Sequence, residues 1–333
     1  MAEGWILRRG SPRSGFRYVT ARGRPAPAAA CARAEALRIP PAWTDVHVAA
    51  SPSAAVQAWG YDAKGRKQYR YHDRAAARGQ LRKYHRVRRM ARDLPAMRAA
   101  VARDLAGDGP ARFGRRQVCA AVVRLIGEAF FRVGSERYAA ENRTFGIATL
   151  RKAHVTEVDG RLVFAYVGKE SIRQRQVVTD PELVDFVRAL REAPGPRLFR
   201  WRDDAGDWHD LTARDVNEYL HDTLGVPYSA KDFRTWGGTL RLATILADLG
   251  PAANAREARR NVVLALRCVA AELGNTPTVC RQAYVHPLVI ARYLDAGETI
   301  APLLEREARR TTARAARSAA SAAARPGSSR AAR

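Results

Sequence analysis

Arg115–Phe131 reads RRQVCAAVVRLIGEAFF. Val118, Val122, Leu125, Ile126 and Ala129 recur at helical spacing and give one apolar face. The sequence before it has a different rhythm. GFRYVTARGRP, TDVHVAA and VQAWGYDAKGRKQYRYH set aromatic and β-branched residues between Gly, Pro and Asp breakers, which predicts short strands joined by turns. The change of period divides the chain into a small β-rich N-terminal domain over residues 1–89 and a mainly helical domain over 90–304. The join is expected near RVRRMARDLP, with Pro95 in the first turn of a new helix.

Beyond the helical stretch, HVTEVDGRLVFAYVGKESIRQRQVV alternates apolar and polar residues, so a β insert interrupts the helices. Asp159-Gly160 is a type I′ hairpin signal. Gly168-Lys169-Glu170 reads as a second turn, with Lys169 at a hairpin tip. Helices then resume. Asp180-Pro181 starts one, Thr212 with Asp215 forms a capping box for the next, and Gly225 ends it. DFRTWGGTLRLATILADLG and AREARRNVVLALRCVAAELG each run to a closing glycine, Gly250 and Gly274. The expected class is α+β. From residue 305 to 333 the chain is mostly Ala, Arg and Ser, which predicts a disordered basic tail.

The 333 residues carry 58 Lys and Arg against 33 Asp and Glu, a net charge of +25. Such an excess favours a polyanionic partner, usually nucleic acid, over a merely solvated basic surface. Cysteines at 31, 119, 268 and 280 form no C-x-x-C pair and have no histidine cluster beside them, so the reading is reduced thiols and no zinc site. MAEGWILRRG lacks the apolar segment of a signal peptide, and no stretch has the length of a membrane span. A cytoplasmic protein with no membrane contact is expected. GYDAKGRK misses the phosphate-loop pattern, since Arg66-Lys67 follow the second glycine, so no nucleotide cofactor is expected. No serine-hydrolase elbow, zinc-protease helix or spaced acidic cluster for magnesium stands out.

A set of phosphate-binding residue types remains. Arg132 follows two phenylalanines, and Arg234 lies between Phe233 and Trp236. A guanidinium in such surroundings requires an anionic partner, although either could be a surface charge. Lys169 alone reads as a turn lysine, and Tyr284 alone as a packed tyrosine. Together they are the parts of a metal-free phosphoryl transfer. A phenol attacks phosphorus, and nearby positive charge favours its phenolate form. Bidentate guanidinium groups neutralise the non-bridging oxygens, and a lysine protonates the departing oxygen.

GRKQYRYH, FFRVGSERYAAENRTFGIATLRKAHV, VGKES, KDFRTWGG and LGNTPTVCRQAYVHP together resemble the type IB DNA topoisomerases, the small bacterial and poxvirus-like kind. The matching stretches run in family order from residue 65 to 287, about two thirds of the chain. The resemblance implies a tyrosine recombinase/topoisomerase IB catalytic fold, with both domains forming a C-shaped clamp on duplex DNA. The implied enzyme is a monomer of the nucleoid-containing cytoplasm that relaxes positive and negative supercoils without ATP, metal or any other cofactor. By the same resemblance, Tyr284 is the nucleophile that forms a 3′-phosphotyrosyl link. Arg132 and Arg234 hold the scissile phosphate, and Lys169 is the general acid for the 5′-oxygen. Asn275 takes the place of the poxviral histidine and offers an amide donor without charge. Lys67, Gln68, Tyr69 and Tyr71 are the implied DNA contacts of the first domain. Tyrosine recombinases share the catalytic set, but they usually place a histidine right after the second arginine, where this chain has Thr235. A non-catalytic chromatin-like binder would suit the charge and the tail, yet would not need the tyrosine.

Overall fold

A computed structural model describes residues 4–107, 113–225, 228–306 and Arg309. The chain divides into two compact units after Arg86. In the first, strands β1 (Trp5–Ser11) and β2 (Gly15–Thr20) precede helix α1 (Ala28–Ala36). Strands β3 (Thr44–Ala49), β4 (Val56–Tyr61) and β5 (Lys67–Tyr71) follow. They form one antiparallel sheet in the order β2-β1-β3-β4-β5. Because side chains alternate along a strand, the register sorts them into two faces. One row, Ile6–Val48–Ala58, is buried with Ala34 of α1. The neighbouring row, Leu7–His47–Trp59–Tyr69, lies on the opposite face.

The strands end at Tyr71, and helix α2 runs from Asp73 to Ala106. The sequence reading took residues 73–89 as strands and turns and placed Pro95 in the first turn of a new helix; one continuous helix replaces both. Pro95 lies inside α2. It removes one backbone hydrogen bond, but Val87, Met90, Leu94, Met97, Val101 and Leu105 keep a buried stripe going on both sides of it. Helix α1 was also not foreseen. Its Ala-rich stretch buries little beyond Ala34 and has a weak apolar period.

The second unit is built on α3 (Arg115–Ala129), followed by α4 (Glu136–Asn142). Val118, Val122, Leu125 and Ile126 of α3 are fully buried. Each contributes roughly 1.5–3 kcal/mol by leaving water, far more than helix propensity alone supplies. Strands β6 (Val155–Val158), β7 (Arg161–Val167) and β8 (Arg173–Val178) form an antiparallel sheet in that order. Asp159 and Gly160 both have positive φ at the first hairpin, at 49° and 70°. The second hairpin turns through Lys169–Ser171.

Helix α5 (Pro181–Leu190) is capped by Asp180, whose carboxylate accepts from the Leu183 amide. A short pair, β9 (Arg200–Arg202) and β10 (Trp208–Asp210), precedes α6 (Ala213–Leu224). Thr212 and Asp215 form the expected capping box, and Gly225 closes α6 with φ 60°. Helices α7 (Ala230–Leu249), α8 (Ala255–Leu273), α9 (Pro277–Ala283) and α10 (Pro287–Ala296) complete the unit. Leu242, Leu246, Val262, Leu266, Val269, Cys280, Val285 and Ile290 pack these four together. No helix among the described residues is long and apolar enough to cross a membrane. Apart from residues 305, 306 and 309, the basic tail lies outside the described residues.

Candidate active site

Four sequence-distant segments of the second unit meet at one place. The first is the end of α3. Phe130 adopts the left-handed conformation (φ 53°, ψ 35°), which ends the helix and turns the chain toward Phe131 and Arg132. Phe131 is completely buried and anchors the turn. The Ile147 amide donates to the Arg132 carbonyl at 2.8 Å, and that close approach needs Gly146, where a Cβ would lie 2.5 Å from the same oxygen. Arg132 Nη2 then donates to Asn275 Oδ1 at 2.6 Å and to the Gly274 carbonyl at 3.2 Å.

The second segment is the first half of α7. Arg234 is only 4% exposed. Its Nη1 donates to the Phe130 carbonyl and its Nη2 to the Leu273 carbonyl, the latter at 2.6 Å. Burial, helped by the positive charge of Arg132, lowers its pKa to about 10, so it stays charged at neutral pH. Its Nε has no hydrogen-bond partner among the described residues. Gly237 and Gly238 let the neighbours in. A Cβ on Gly237 would lie 2.0 Å from the Phe130 ring, and one on Gly238 2.9 Å from the Tyr284 carbonyl.

The third segment links α8 to α9. Gly274 is left-handed (φ 59°), and the Asn275 amide reaches back to the Ala270 carbonyl at 2.8 Å, closing the helix in Schellman fashion. Asn275 thereby sits beside Arg132, while its buried Nδ2 lacks a partner among the described residues. Thr276 caps α9 by accepting from the Val279 amide, and Pro277 occupies its first turn. Tyr284 is the residue that ends α9. Thr239 of α7 holds this end, because its hydroxyl accepts from the His286 amide at 3.0 Å.

The Tyr284 ring centroid is 5.1 Å from Arg234 Cζ. Burial pushes the phenol's pKa up, but Arg234, Arg132 and Lys169 together outweigh burial and hold it below the ordinary tyrosine value. Lys169 acts from the fourth segment, the β7–β8 turn, where Glu170 and Ser171 are left-handed at φ 60° and 58°. So Arg132, Arg234, Asn275 and Tyr284 converge, and the charge of Lys169 reaches the phenol.

The sequence reading missed three polar residues of the same hairpin, Tyr166, Gln174 and Gln176. All are buried, on the face of β7 and β8 turned from solvent. Burial raises the Tyr166 phenol to about 12 even though Arg234 and Arg132 act in the opposite sense, which makes it a poor nucleophile beside Tyr284. The signal was present in RQRQVV, where the inward positions of an alternating strand are glutamines instead of apolar residues.

The first-unit residues separate into two faces. Tyr69 and Tyr71 point away from the buried row, 43% and 54% exposed, with ring centroids 5.9 Å apart. Lys67 is on their face, its Nζ 3.7 Å from the Trp59 ring, and Trp59 stacks on His47. Gln68 alternates to the other side and donates to Asp62 at 3.0 Å.

Comparison with known proteins identifies the family. Residues 72–309 match the family described as eukaryotic DNA topoisomerase I, catalytic core, and residues 15–62 match bacterial DNA topoisomerase IB, N-terminal domain. The chain belongs to the type IB DNA topoisomerases, isomerases that act on DNA. It is 30% identical over 268 residues to DNA topoisomerase 1B of Acanthamoeba polyphaga mimivirus, covering 78% of this chain and 79% of the viral protein. To DNA topoisomerase 1B of Vaccinia virus (strain Copenhagen) it is 25% identical over 178 residues, 53% of this chain and 54% of that one. Among solved structures, a XerH site-specific recombinase bound to its palindromic difH substrate aligns at TM-score 0.37 and 13% identity, over 59% of this chain and 48% of the recombinase.

Proposed function

We propose that this topoisomerase cuts one DNA strand with Tyr284 and reseals it from a 3′-phosphotyrosyl intermediate. The observation that carries the reading is geometric: the Tyr284 ring lies 5.1 Å from the guanidinium carbon of the buried Arg234, and Arg132 is hydrogen-bonded to Asn275 at 2.6 Å in the same pocket. In the forward step Tyr284 releases its phenolic proton to solvent, the resulting phenolate oxygen bonds to phosphorus, and the bond from phosphorus to the 5′-oxygen breaks. The Lys169 ammonium gives its proton to that departing oxygen, which leaves as a 5′-hydroxyl. Arg132 and Arg234 neutralise the non-bridging oxygens as charge builds on them. Arg234 Nε and Asn275 Nδ2, donors without a partner among the described residues, suit the same oxygens. Resealing reverses each transfer. The phosphotyrosyl ester conserves the bond energy, so the cycle consumes no ATP, metal or other cofactor.

Between cleavage and resealing the free 5′ end rotates, which relaxes positive and negative supercoils alike. The outward aromatic face with Lys67, Tyr69 and Tyr71 is the first unit's DNA contact. Gln68, engaged by Asp62, joins it only by changing partner. In this reading the enzyme works as a monomer on nucleoid DNA in the cytoplasm.

The test is to trap the covalent complex on end-labelled duplex in EDTA, digest it and map the adduct by mass spectrometry. The expected adduct is on Tyr284 with a free 5′-hydroxyl opposite. Tyr284→Phe should bind duplex as the parent does and relax no plasmid. An adduct on another side chain, or cleavage that stops with chelator, would overturn the proposal.

A further inference from the structure

The β7–β8 hairpin carries Lys169 on a short turn, in which the Lys169 carbonyl accepts from the Ile172 amide at 3.4 Å. Its ends are tied by the Gly168 amide donating to the Ile172 carbonyl at 2.8 Å, and Glu170 and Ser171 are both left-handed. A proton donor has to meet the leaving oxygen within hydrogen-bond reach, and a misplacement of about 1 Å can cost a hundredfold in rate. Something must set the position of that turn relative to the phosphate pocket.

The side chain of Gln174 occupies the space between them. A Cβ on Gly168, the residue before Lys169, would lie 2.7 Å from Gln174 Cγ. A Cβ on Gly274 would lie 2.3 Å from Gln174 Nε2 and 2.5 Å from its Oε1. One buried glutamine thus touches the backbone of the Lys169 turn with its stem and the Gly274–Asn275 turn with its amide. Its hydrogen bonds are weak, both at 3.5 Å to the Ile172 and Arg173 carbonyls, so packing between two glycines holds it.

The two sides are unequally secured. Gly274 is pinned by the α8 cap and by Arg132, and the neighbouring Leu273 carbonyl by Arg234. We propose that Gln174 is a positioning residue: it seats the Lys169 turn against the fixed Gly274–Asn275 turn and so sets the reach of the proton donor. This rests on the reading of Lys169 as general acid. Without the wedge the hairpin tip shifts and the phosphate pocket stays. The defect then falls on protonation of the leaving oxygen and not on attack at phosphorus.

Single-turnover cleavage separates those two steps. Q174A, Q174M and K169A are compared with the parent on a duplex with a normal 5′-oxygen at a mapped cleavage site. The same duplex with a 5′-bridging sulfur, whose thiolate leaves without a proton, is run beside it. Q174A is expected to lose about ten- to a hundredfold on oxygen and to return within about threefold of the parent on sulfur. Q174M keeps the length of the wedge and should stay near the parent on both. An equal loss by Q174A on the two substrates, no loss on either, or a Q174M as slow as Q174A on oxygen would each overturn the proposal. K169A identifies which claim has failed. If K169A itself is not restored by sulfur, the general-acid reading falls and the Gln174 proposal falls with it. If K169A is restored and Q174A is not, only the role of Gln174 is lost.

Discussion

The phenol of Tyr284 is acidified by charges that come from three other segments, so each charge should leave a mark on the pH dependence of cleavage. Arg132 favours the phenolate. Removing it takes positive charge away from a developing anion, and the pKa of the phenol must rise. Single-turnover cleavage by Arg132→Ala, followed from about pH 7 to 11, should show its alkaline rise displaced to higher pH, on top of a large loss from the missing phosphate contact. A rise that stays in place or moves lower would contradict the electrostatics described for the pocket. The candidate site residues stood out in the sequence only as a set and through the family resemblance, since Lys169 alone reads as a turn lysine and Tyr284 alone as a packed tyrosine. Their convergence was not legible from spacing, since Arg132 and Asn275 are far apart in sequence yet 2.6 Å apart in space. Tyr166, Gln174 and Gln176 stayed hidden because an alternating strand was read for its turns and not for which face each residue took.

At the scale of elements, local signals were read well wherever the backbone itself demands a residue type. The capping box of α6 is one case, and there Asp215 also accepts from Arg115 Nε at 2.8 Å, which ties α6 to α3. Thr212→Ala should lower stability by about 1 kcal/mol in urea unfolding, and an unchanged midpoint would mean the cap is redundant. The same carboxylate sets a pH sign. Burial pushes its pKa up, but Thr212 and Arg115 more than offset this and leave it below the ordinary aspartate value. Its stabilising effect is therefore present above the unfolded aspartate pKa and is lost as pH falls through the lower folded value. Asp215→Asn should flatten that acid-side loss of stability. Proline misled where tertiary burial won, since α2 passes straight through Pro95 on the strength of an apolar stripe that runs past it on both sides.

For the molecule as a whole, the charge of +25 was the plainest message of the sequence, and it predicts how binding responds to salt. Affinity for duplex DNA should fall steeply and log-linearly with salt, the slope counting the phosphates engaged. Replacing Lys67 with alanine should reduce that slope by about one unit, measured by fluorescence anisotropy between low and moderate ionic strength. A slope identical to the parent's would remove Lys67 from the phosphate contacts. The outward face of Tyr69 and Tyr71 could not be assigned from sequence, because alternation says that two tyrosines share a side without saying which side is wet. The glycines packed around Arg132, Arg234 and Tyr284 carry a last consequence. At 146, 237, 238 and 274 a methyl group would strike a neighbour, so the common route to heat resistance, swapping glycine for alanine to stiffen the unfolded chain, is closed there. Evolution or engineering toward a hardier protein has to act at the periphery, because the close packing around Arg234 and Tyr284 leaves no room for an added methyl at these positions.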